Sequence, residues 1–403
     1  MDPIAILRGK RILLGVSGSI AAYKAADLAS QLTQAGAHVD AILTSAAARF
    51  VTPLTFQSLT GRPAHADLWS ADAHVLHVGL AEGADLLLVA PATADLLAKL
   101  AHGLADDLLT VSALAARCPL LVAPAMDAGM FEHPAVQANL ATLRARGATV
   151  IGPAEGRMAS GLAGRGRMLE PEEILGHVRR AAGRSGPLTG RRIVVTAGGT
   201  EEPVDPVRVL ANRSSGKQGF ALAQAALDRG AGVTLVAAPC PLPTPVGAVR
   251  IDVGTADEMA RAVLEAAAAA DVLLMAAAVA DFRPARPAAQ KLKKGAGPPV
   301  LELERTTDIL SAVAEARAKT GRPACVVGFA AETDDLVANA RKKLSEKNLS
   351  LVVANDVTRT DSGFGSESNR VTLIDAAGTE ELPLLSKAEV AERILDRVQA
   401  QLG

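Results

Sequence analysis

Arg11–Ile20 and Arg192–Thr200 are built alike: a short apolar run ending in a turn of small residues, Gly15-Val-Ser-Gly-Ser-Ile20 in one and Thr196-Ala-Gly-Gly-Thr200 in the other. An apolar run without polar alternation fits a strand buried on both faces, as in a parallel sheet covered by helices. Similar runs recur at Leu86–Ala90, Leu120–Ala123, Val233–Ala237, Val272–Ala276, Cys325–Phe329 and Leu351–Ala354. Ala-rich, helix-like stretches such as Ala21–Ala35, Ala256–Ala270 and Thr333–Glu346 lie between and around them. This alternation predicts two three-layer α/β domains with parallel sheets. The 403 residues suit two or three domains at about 150 residues each. Arg179–Gly190 is small, polar and basic and reads as the linker. The predicted domains are 1–185 and 186–403.

Charge and aromatic content narrow the function. With 42 basic and 43 acidic residues there is no electrostatic reason to bind nucleic acid or an anionic membrane. Aromatic residues make up 2%, too few for a base-stacking platform. Met1–Lys10 lacks the apolar core of a signal peptide, and the longest apolar candidate, Ala266–Ala280, is interrupted by Asp271. Cys118, Cys240 and Cys325 lie far apart and form neither a metal-ligand spacing nor a disulfide framework. A cytoplasmic protein is expected.

In the first half, the amides and the Ser17 and Ser19 hydroxyls of the Gly15–Ile20 turn suit a phosphate at a helix start, with Gly18 between them. The spacing is not GxGxxG, so a dinucleotide is not indicated. Thr44, Ser45 and Thr93 follow strand-like runs, where ligands of open α/β sheets bind; read alone, each fits a helix N-cap better than a ligand contact. Ala123-Pro-Ala-Met-Asp127 also follows a strand, and Ala159–Met168 is glycine-dense, as a mobile lid or a ligand-hugging loop would be. His65, His74 and His77 lie close in sequence and offer a general base, or are surface histidines.

Taken together, Gly15–Lys24, His77, Ala90-Pro-Ala-Thr-Ala-Asp95, Pro124-Ala-Met126 and Gly166-Arg-Met168 resemble the flavin-dependent cysteine decarboxylases across most of residues 8–180. The resemblance implies a flavodoxin-like, trimer-forming flavoprotein domain. It implies FMN at Ser17, Gly18, Ser19, Thr44, Ser45 and Thr93, and His77 as catalytic histidine. It implies substrate contacts at Met126, Asp127, Arg167 and Met168. Two residues depart from the family pattern. Asp127 stands where the family has Asn, and Ser160 aligns with the proton-donating cysteine. An ionised Asp only accepts hydrogen bonds, and a hydroxyl is a weaker acid than a thiol of pKa ~8.5. Both residues are read as one coordinated variant of the pocket, with Ser160 as a candidate for proton transfer.

The second half offers a phosphate-binding turn at Thr196–Thr200. The polar stretch Asp205–Gly219 follows, with Arg208, Asn212 and Lys217, and reads as a loop running into a helix. Asp281 is placed at a strand end, where it suits a ribose, base or Mg2+ contact. Lys291, Lys293 and Lys294 suit a triphosphate or a solvated surface, and Phe329 a nucleobase or the core. Thr196-Ala-Gly198, Asp205-Pro-Val-Arg208, Asn212, Ser214-Ser-Gly-Lys217, Ala277–Asp281, Lys291–Lys294, Gly328–Thr333 and Lys347-Asn348 together resemble phosphopantothenate–cysteine ligase. That resemblance implies a Rossmann-like, dimer-forming domain that uses CTP and Mg2+ (or Mn2+) to make an acyl-cytidylate, which the amine of cysteine attacks. Lys291 would stabilise charge in nucleotidyl transfer, and Asn212 would hold the acyl-cytidylate. Met275, Ala276, Ala277, Asp281, Thr307, Asp308, Ile309, Leu310, Phe329, Lys343 and Lys347 would line the nucleotide site. Mg2+ would bind mainly through the nucleotide phosphates, with Asp281 as its protein contact. Thr306-Thr307 replaces the family's Asn-Pro, a mild departure.

Both resemblances occur in the order of the bacterial bifunctional phosphopantothenoylcysteine decarboxylase/phosphopantothenate–cysteine ligases of coenzyme A synthesis. Implied substrates are 4′-phosphopantothenate, L-cysteine and CTP, and trimers joined through dimers would give a dodecamer. A non-catalytic flavin domain on an active ligase, and a nicotinamide oxidoreductase with two Rossmann-like domains, stand as alternatives.

Overall fold

The computed structural model describes residues 3–69, 75–293, 300–332, 335–356 and 365–403. His74, Lys294 and Thr333 lie outside them. The chain divides into two compact units, Met1–Gly183 and Arg184–Gly403.

The first unit is one parallel sheet of β1 (Arg11–Val16), β2 (His38–Leu43), β3 (Ala64–His65), β4 (Leu86–Ala92), β5 (Leu120–Pro124) and β6 (Thr149–Val150). Its order is β3-β2-β1-β4-β5-β6. Without the two-residue edge strand β3 this is the flavodoxin-like order, which reverses direction between β1 and β4. The central strands are largely apolar because both faces are covered. Ile12, Leu14 and Val16 enter the cluster formed with α1 (Ala22–Gln34) and α6 (Pro171–Gly183). Leu13, Leu87 and Val89 face α3 (Ala94–His102), α4 (Leu108–Ala115) and α5 (Pro134–Ala145). Helix α6 runs through the first part of the stretch read as linker, because Ile174, Leu175 and Val178 give it a buried stripe.

Glycine-dense Ala159–Met168 is mostly ordered structure. It contributes to an antiparallel hairpin of β7 (Ala154–Arg157) and β8 (Ala163–Arg167), with Ser160 and Gly161 in the turn.

In the second unit, the central sheet has β9 (Arg192–Ala197), β10 (Gly232–Ala237), β11 (Val249–Asp252), β12 (Val272–Met275), β13 (Cys325–Glu332) and β14 (Leu351–Asp356), all parallel. The antiparallel pair β15 (Val371–Asp375) and β16 (Gly378–Glu381) extends it. The parallel part has the order β11-β10-β9-β12-β13-β14, the doubly wound arrangement of Rossmann-like domains. Helices α7 (Lys217–Asp228) and α11 (Lys387–Leu402) cover one face; α8 (Ala256–Ala267) and α9 (Ile309–Thr320) cover the other. β12 stops at Met275, so Asp281 lies six positions beyond the strand end. Within the stretch read as a loop, Val209–Ala211 pairs with Glu201–Pro203. Among the described residues no helix is long and apolar enough to cross a membrane.

Candidate active sites

Both units place their loops at the point where strand order reverses. In the first, Ser17 is 2% exposed and sits immediately after β1. Its hydroxyl donates to the Pro91 carbonyl at 2.8 Å and accepts from the Thr93 amide at 3.0 Å. The side chain therefore braces the β1 and β4 exits, and its proton is already committed. Thr44 binds the same junction through its amide, which donates to the Val16 carbonyl at 3.0 Å. Gly18 lies so close to the β2 exit that a Cβ there would stand 2.4 Å from the Ala46 Cβ. The exits of β1, β2 and β4 thus converge, bringing together Ser17, Gly18, Ser19, Thr44, Ser45 and Thr93. Helix α1 starts there without a side-chain cap and without an acid in its first turn. Its amides remain suited to an anion.

Beside α1 opens a cleft of ≈ 390 Å³ lined by Ser19, Met126, Asp127, Ser160, Arg167 and Met168, together with Tyr23 and Lys24. The hairpin closes one side of it. Its anchor is Gly166, whose carbonyl accepts from the Met126 amide at 3.0 Å. At its turn Ser160 Oγ donates to Asp127 Oδ2 at 2.6 Å, while the Gly129 amide donates to Oδ1 at 3.2 Å. Lys24 is 6% exposed, and its Nζ donates to Glu170 Oε1 at 2.9 Å and to the Met168 carbonyl at 3.3 Å. Arg167 reaches the same Glu170 oxygen at 2.6 Å. The Lys24 ammonium, helped by Arg167, holds the Glu170 carboxyl below its ordinary range against the effect of burial. Lys24 belongs to the quoted Gly15–Lys24 motif but receives no role from sequence reasoning. The signal available is its spacing: it is four positions before buried Leu28 on an otherwise apolar helix face.

His77 does not line this cleft. It is half-buried on α2 (Leu76–Glu82), which packs against α4. His65 is half-buried on β3; burial pushes its imidazole pKa down, opposed by Asp40.

In the second unit, Thr196 and Thr200 play the bracing part. The Ala277 amide donates to Thr196 Oγ1 at 3.0 Å and the Ala280 amide to Thr200 Oγ1 at 2.9 Å. Asn212 Nδ2 donates to the Val279 carbonyl at 3.1 Å, which fixes the Asn212 amide against the β12 exit loop. Beyond it lies a cleft of ≈ 550 Å³ lined by Met275, Ala277, Asp281, Thr307, Asp308, Ile309, Leu310, Phe329, Lys343 and Lys347. Ala276, Asn212 and exposed Lys291 are not among its walls. Arg305, Asn339 and Lys342 are, and sequence reasoning missed them.

Lys342, Lys343 and Lys347 all come from α10 (Leu336–Glu346) and its C-terminal edge. Lys343 Nζ donates to the Phe329 carbonyl at 2.7 Å. Lys347 Nζ meets Asp308 Oδ2 at 2.5 Å and Ser311 Oγ at 2.7 Å. Burial works to raise the Asp308 carboxyl, yet Lys347 and the Ser311 amide hold it below the usual carboxylate range. Among the described residues no three His, Cys, Asp or Glu side chains are grouped to hold a metal ion.

A flavoprotein family model matches residues 5–183, and a model of the DNA/pantothenate metabolism flavoprotein C-terminal domain matches residues 188–402. The chain is 47% identical to the coenzyme A biosynthesis bifunctional protein CoaBC of Vibrio vulnificus (strain CMCP6), covering 98% of this chain and 99% of that one. It is 45% identical to the CoaBC protein of Bacillus subtilis (strain 168), covering 98% of each. With that of Mycobacterium tuberculosis (strain ATCC 25618 / H37Rv) the identity is 48%, over 96% of each. The chain belongs to the CoaBC family. It is a bifunctional enzyme of coenzyme A biosynthesis, with decarboxylase and ligase activity. As in other α/β proteins of doubly wound topology, each unit of this CoaBC-family chain carries its cleft beyond the carboxyl ends of its strands.

Proposed function

We propose that the second unit joins cysteine to 4′-phosphopantothenate at the expense of CTP, through an acyl-cytidylate. We propose that the first unit then decarboxylates the phosphopantothenoylcysteine to 4′-phosphopantetheine with FMN. The observation that carries the reading is that each unit has a cleft beyond the carboxyl ends of its strands, lined by many of the residues that its family resemblance names.

In the ligase cleft, Lys343 and Lys347 meet the nucleotide phosphates, and the Phe329 ring lies against the base. Mg2+ would be held mainly by the nucleotide phosphates, with Asp281 as its contact on the chain. Lys291 supports the charge that develops as the carboxylate of phosphopantothenate attacks the α-phosphate of CTP and pyrophosphate leaves. Asn212 then holds the acyl-cytidylate while the cysteine amine displaces CMP.

FMN fits the first unit because α1 begins without a side-chain cap at the converged Ser17–Ser19, Thr44–Ser45 and Thr93 loops. Those loops hold its phosphate; Ser17 contributes by bracing them. When bound, FMN supplies the two-electron redox chemistry that makes loss of CO2 possible. Of the chain's own residues, Met126, Asp127, Arg167 and Met168 orient the substrate in this cleft and Ser160 moves a proton there; His77, which stands outside the cleft of its own unit, is the catalytic histidine that the family resemblance implies. Assembly is proposed as trimers through the first unit and dimers through the second, together a dodecamer.

The test is incubation of the full-length enzyme with 4′-phosphopantothenate, cysteine, CTP and Mg2+, with products identified by mass. Phosphopantetheine is expected. Accumulation of phosphopantothenoylcysteine would overturn the decarboxylase half and favour a flavin domain kept for assembly. Absence of both would overturn the ligase half.

A further inference from the structure

Asp205 is fully enclosed, with a side-chain exposure of 0%, yet it is not on the wall of the nucleotide cleft. Its carboxylate accepts at both oxygens. Oδ1 takes the Val207 amide at 2.8 Å and the Arg208 amide at 2.9 Å, closing the turn of the small hairpin. Oδ2 takes Arg208 Nε at 2.9 Å and also meets Arg208 Nη2. One further donor comes from far along the chain: the Leu292 amide reaches Oδ2 at 3.1 Å. Arg208 answers from the other side, its Nη2 donating to the Leu292 carbonyl at 2.9 Å. Both backbone polar groups of Leu292 are therefore gripped by one ion pair. Four positions earlier, the Ala288 amide donates to the Val204 carbonyl of the same turn at 3.0 Å. The 288–292 stretch has no regular structure of its own, and Lys291, exposed, lies inside it. The Arg208 guanidinium, with the converging amides, holds the Asp205 carboxyl well below the usual range, so it stays an acceptor at every working pH.

We propose that Asp205 is a positioning residue for the ligase reaction: with Arg208 it fixes Leu292 at its N–H and its C=O, and so sets where the Lys291 ammonium stands. The proposal rests on the ligase reading given above. Lysine is a point charge on a flexible stem, and its value in nucleotidyl transfer depends on where the stem starts. A misplacement of about 1 Å at a reacting centre costs up to ~100-fold in rate.

The full-length enzyme and its Asp205→Asn variant are labelled with trace acetic anhydride, with and without CTP–Mg2+, and acetylation at each lysine is read by peptide mass spectrometry. In the wild type, CTP protects Lys291, Lys343 and Lys347. In Asp205→Asn, protection is expected to persist at Lys343 and Lys347 and to be lost at Lys291. In parallel, pyrophosphate release with 4′-phosphopantothenate falls about 10- to 100-fold in kcat while KM for CTP moves less than about threefold. Wild-type-like protection of Lys291 in the variant would overturn the proposal. So would loss of protection at all three lysines, which would make Asp205 a support of the whole unit. Failure of CTP to protect any lysine of the wild type would instead strike the nucleotide reading itself.

Discussion

The Ser160 hydroxyl lies 2.6 Å from Asp127 Oδ2, so the two positions at which this chain departs from the decarboxylase pattern are hydrogen-bonded to each other. The bond spans the cleft, from the turn of the β7–β8 hairpin to Asp127, three positions beyond β5. A hydroxyl suits this carboxylate because it is a good donor and Asp127 is an acceptor; a thiol is a weak donor and suits an amide better. The substitutions are therefore expected to be coupled. Asp127→Asn and Ser160→Cys alone should each slow release of CO2 from phosphopantothenoylcysteine, and the double variant should be faster than either. A coupling energy of at least about 0.5 kcal/mol is the signature of contact; additive effects would show that the pair is coincidental.

Gly166 tests how closely the hairpin must lie. A Cβ at this position would stand 2.2 Å from the Met126 carbonyl oxygen and 3.2 Å from the Ala128 amide nitrogen. Both obstacles are backbone, so the strand itself must move away, dragging Arg167 and Met168 with it. Gly166→Ala is expected to destabilise the first unit by about 1–3 kcal/mol and to lower decarboxylation at least tenfold, with ligation unchanged. Thermal unfolding and the two separate activity assays read this out.

The hairpin also marks where sequence reasoning stops. Strands such as Leu86–Ala92 and Leu120–Pro124 were legible because burial on both faces demands an apolar run. The hairpin is rich in Gly and Arg, and its order comes from backbone pairing, the Met126–Gly166 bond, and the polar ties of Ser160 and Glu170. None of these leaves a period in the sequence, so the segment read as a loop. Likewise Asp205 and Arg208 were legible as a motif, but their grip on Leu292 joins positions 84 and 87 residues apart. Many residues named from the family motifs stand in the cleft walls, whereas Ala276, Asn212, Lys291 and His77 stand outside them. The long lever of α10 that adds Lys342 to those walls is a matter of helix phase, which the motifs do not encode.

The Lys24–Glu170 pair gives the first unit a pH response with a definite sign. The Glu170 pKa is depressed in the folded protein, first of all by its hydrogen bond to Lys24. The unfolded chain therefore binds more protons in the window between the two values, and stability falls as pH falls. The contribution is fully present above the ordinary glutamate value of about 4.3 and is lost as pH drops through the lower folded value. Half-exposed Glu170 limits its size. In Lys24→Met the loss of stability below about pH 4.3 should be shallower than in the wild type, as followed by urea unfolding between acid and neutral pH. An unchanged slope would show that Glu170 is held by Arg167 alone.

Each unit has its own sheet, covered on both faces by its own helices, so lesions in the two units should separate the two activities. His77 lies on α2, which packs against α4, and is itself only half-buried, so exchanging it for an amide of similar size should leave the core of the first unit intact. His77→Asn is expected to lower decarboxylation by about 100-fold or more, the range of a lost general acid–base group, while ligation proceeds at the wild-type rate and phosphopantothenoylcysteine accumulates. Lys291→Gln should do the converse: no acyl-cytidylate forms from 4′-phosphopantothenate and CTP, but supplied phosphopantothenoylcysteine is still decarboxylated. Product masses from the two variants, alone and mixed, read the separation, since the mixture should regain phosphopantetheine formation. If His77→Asn removed both activities, with the second unit still unfolding at its wild-type temperature, the histidine would act on the ligase as well, and the assignment of one chemistry to each cleft would fall.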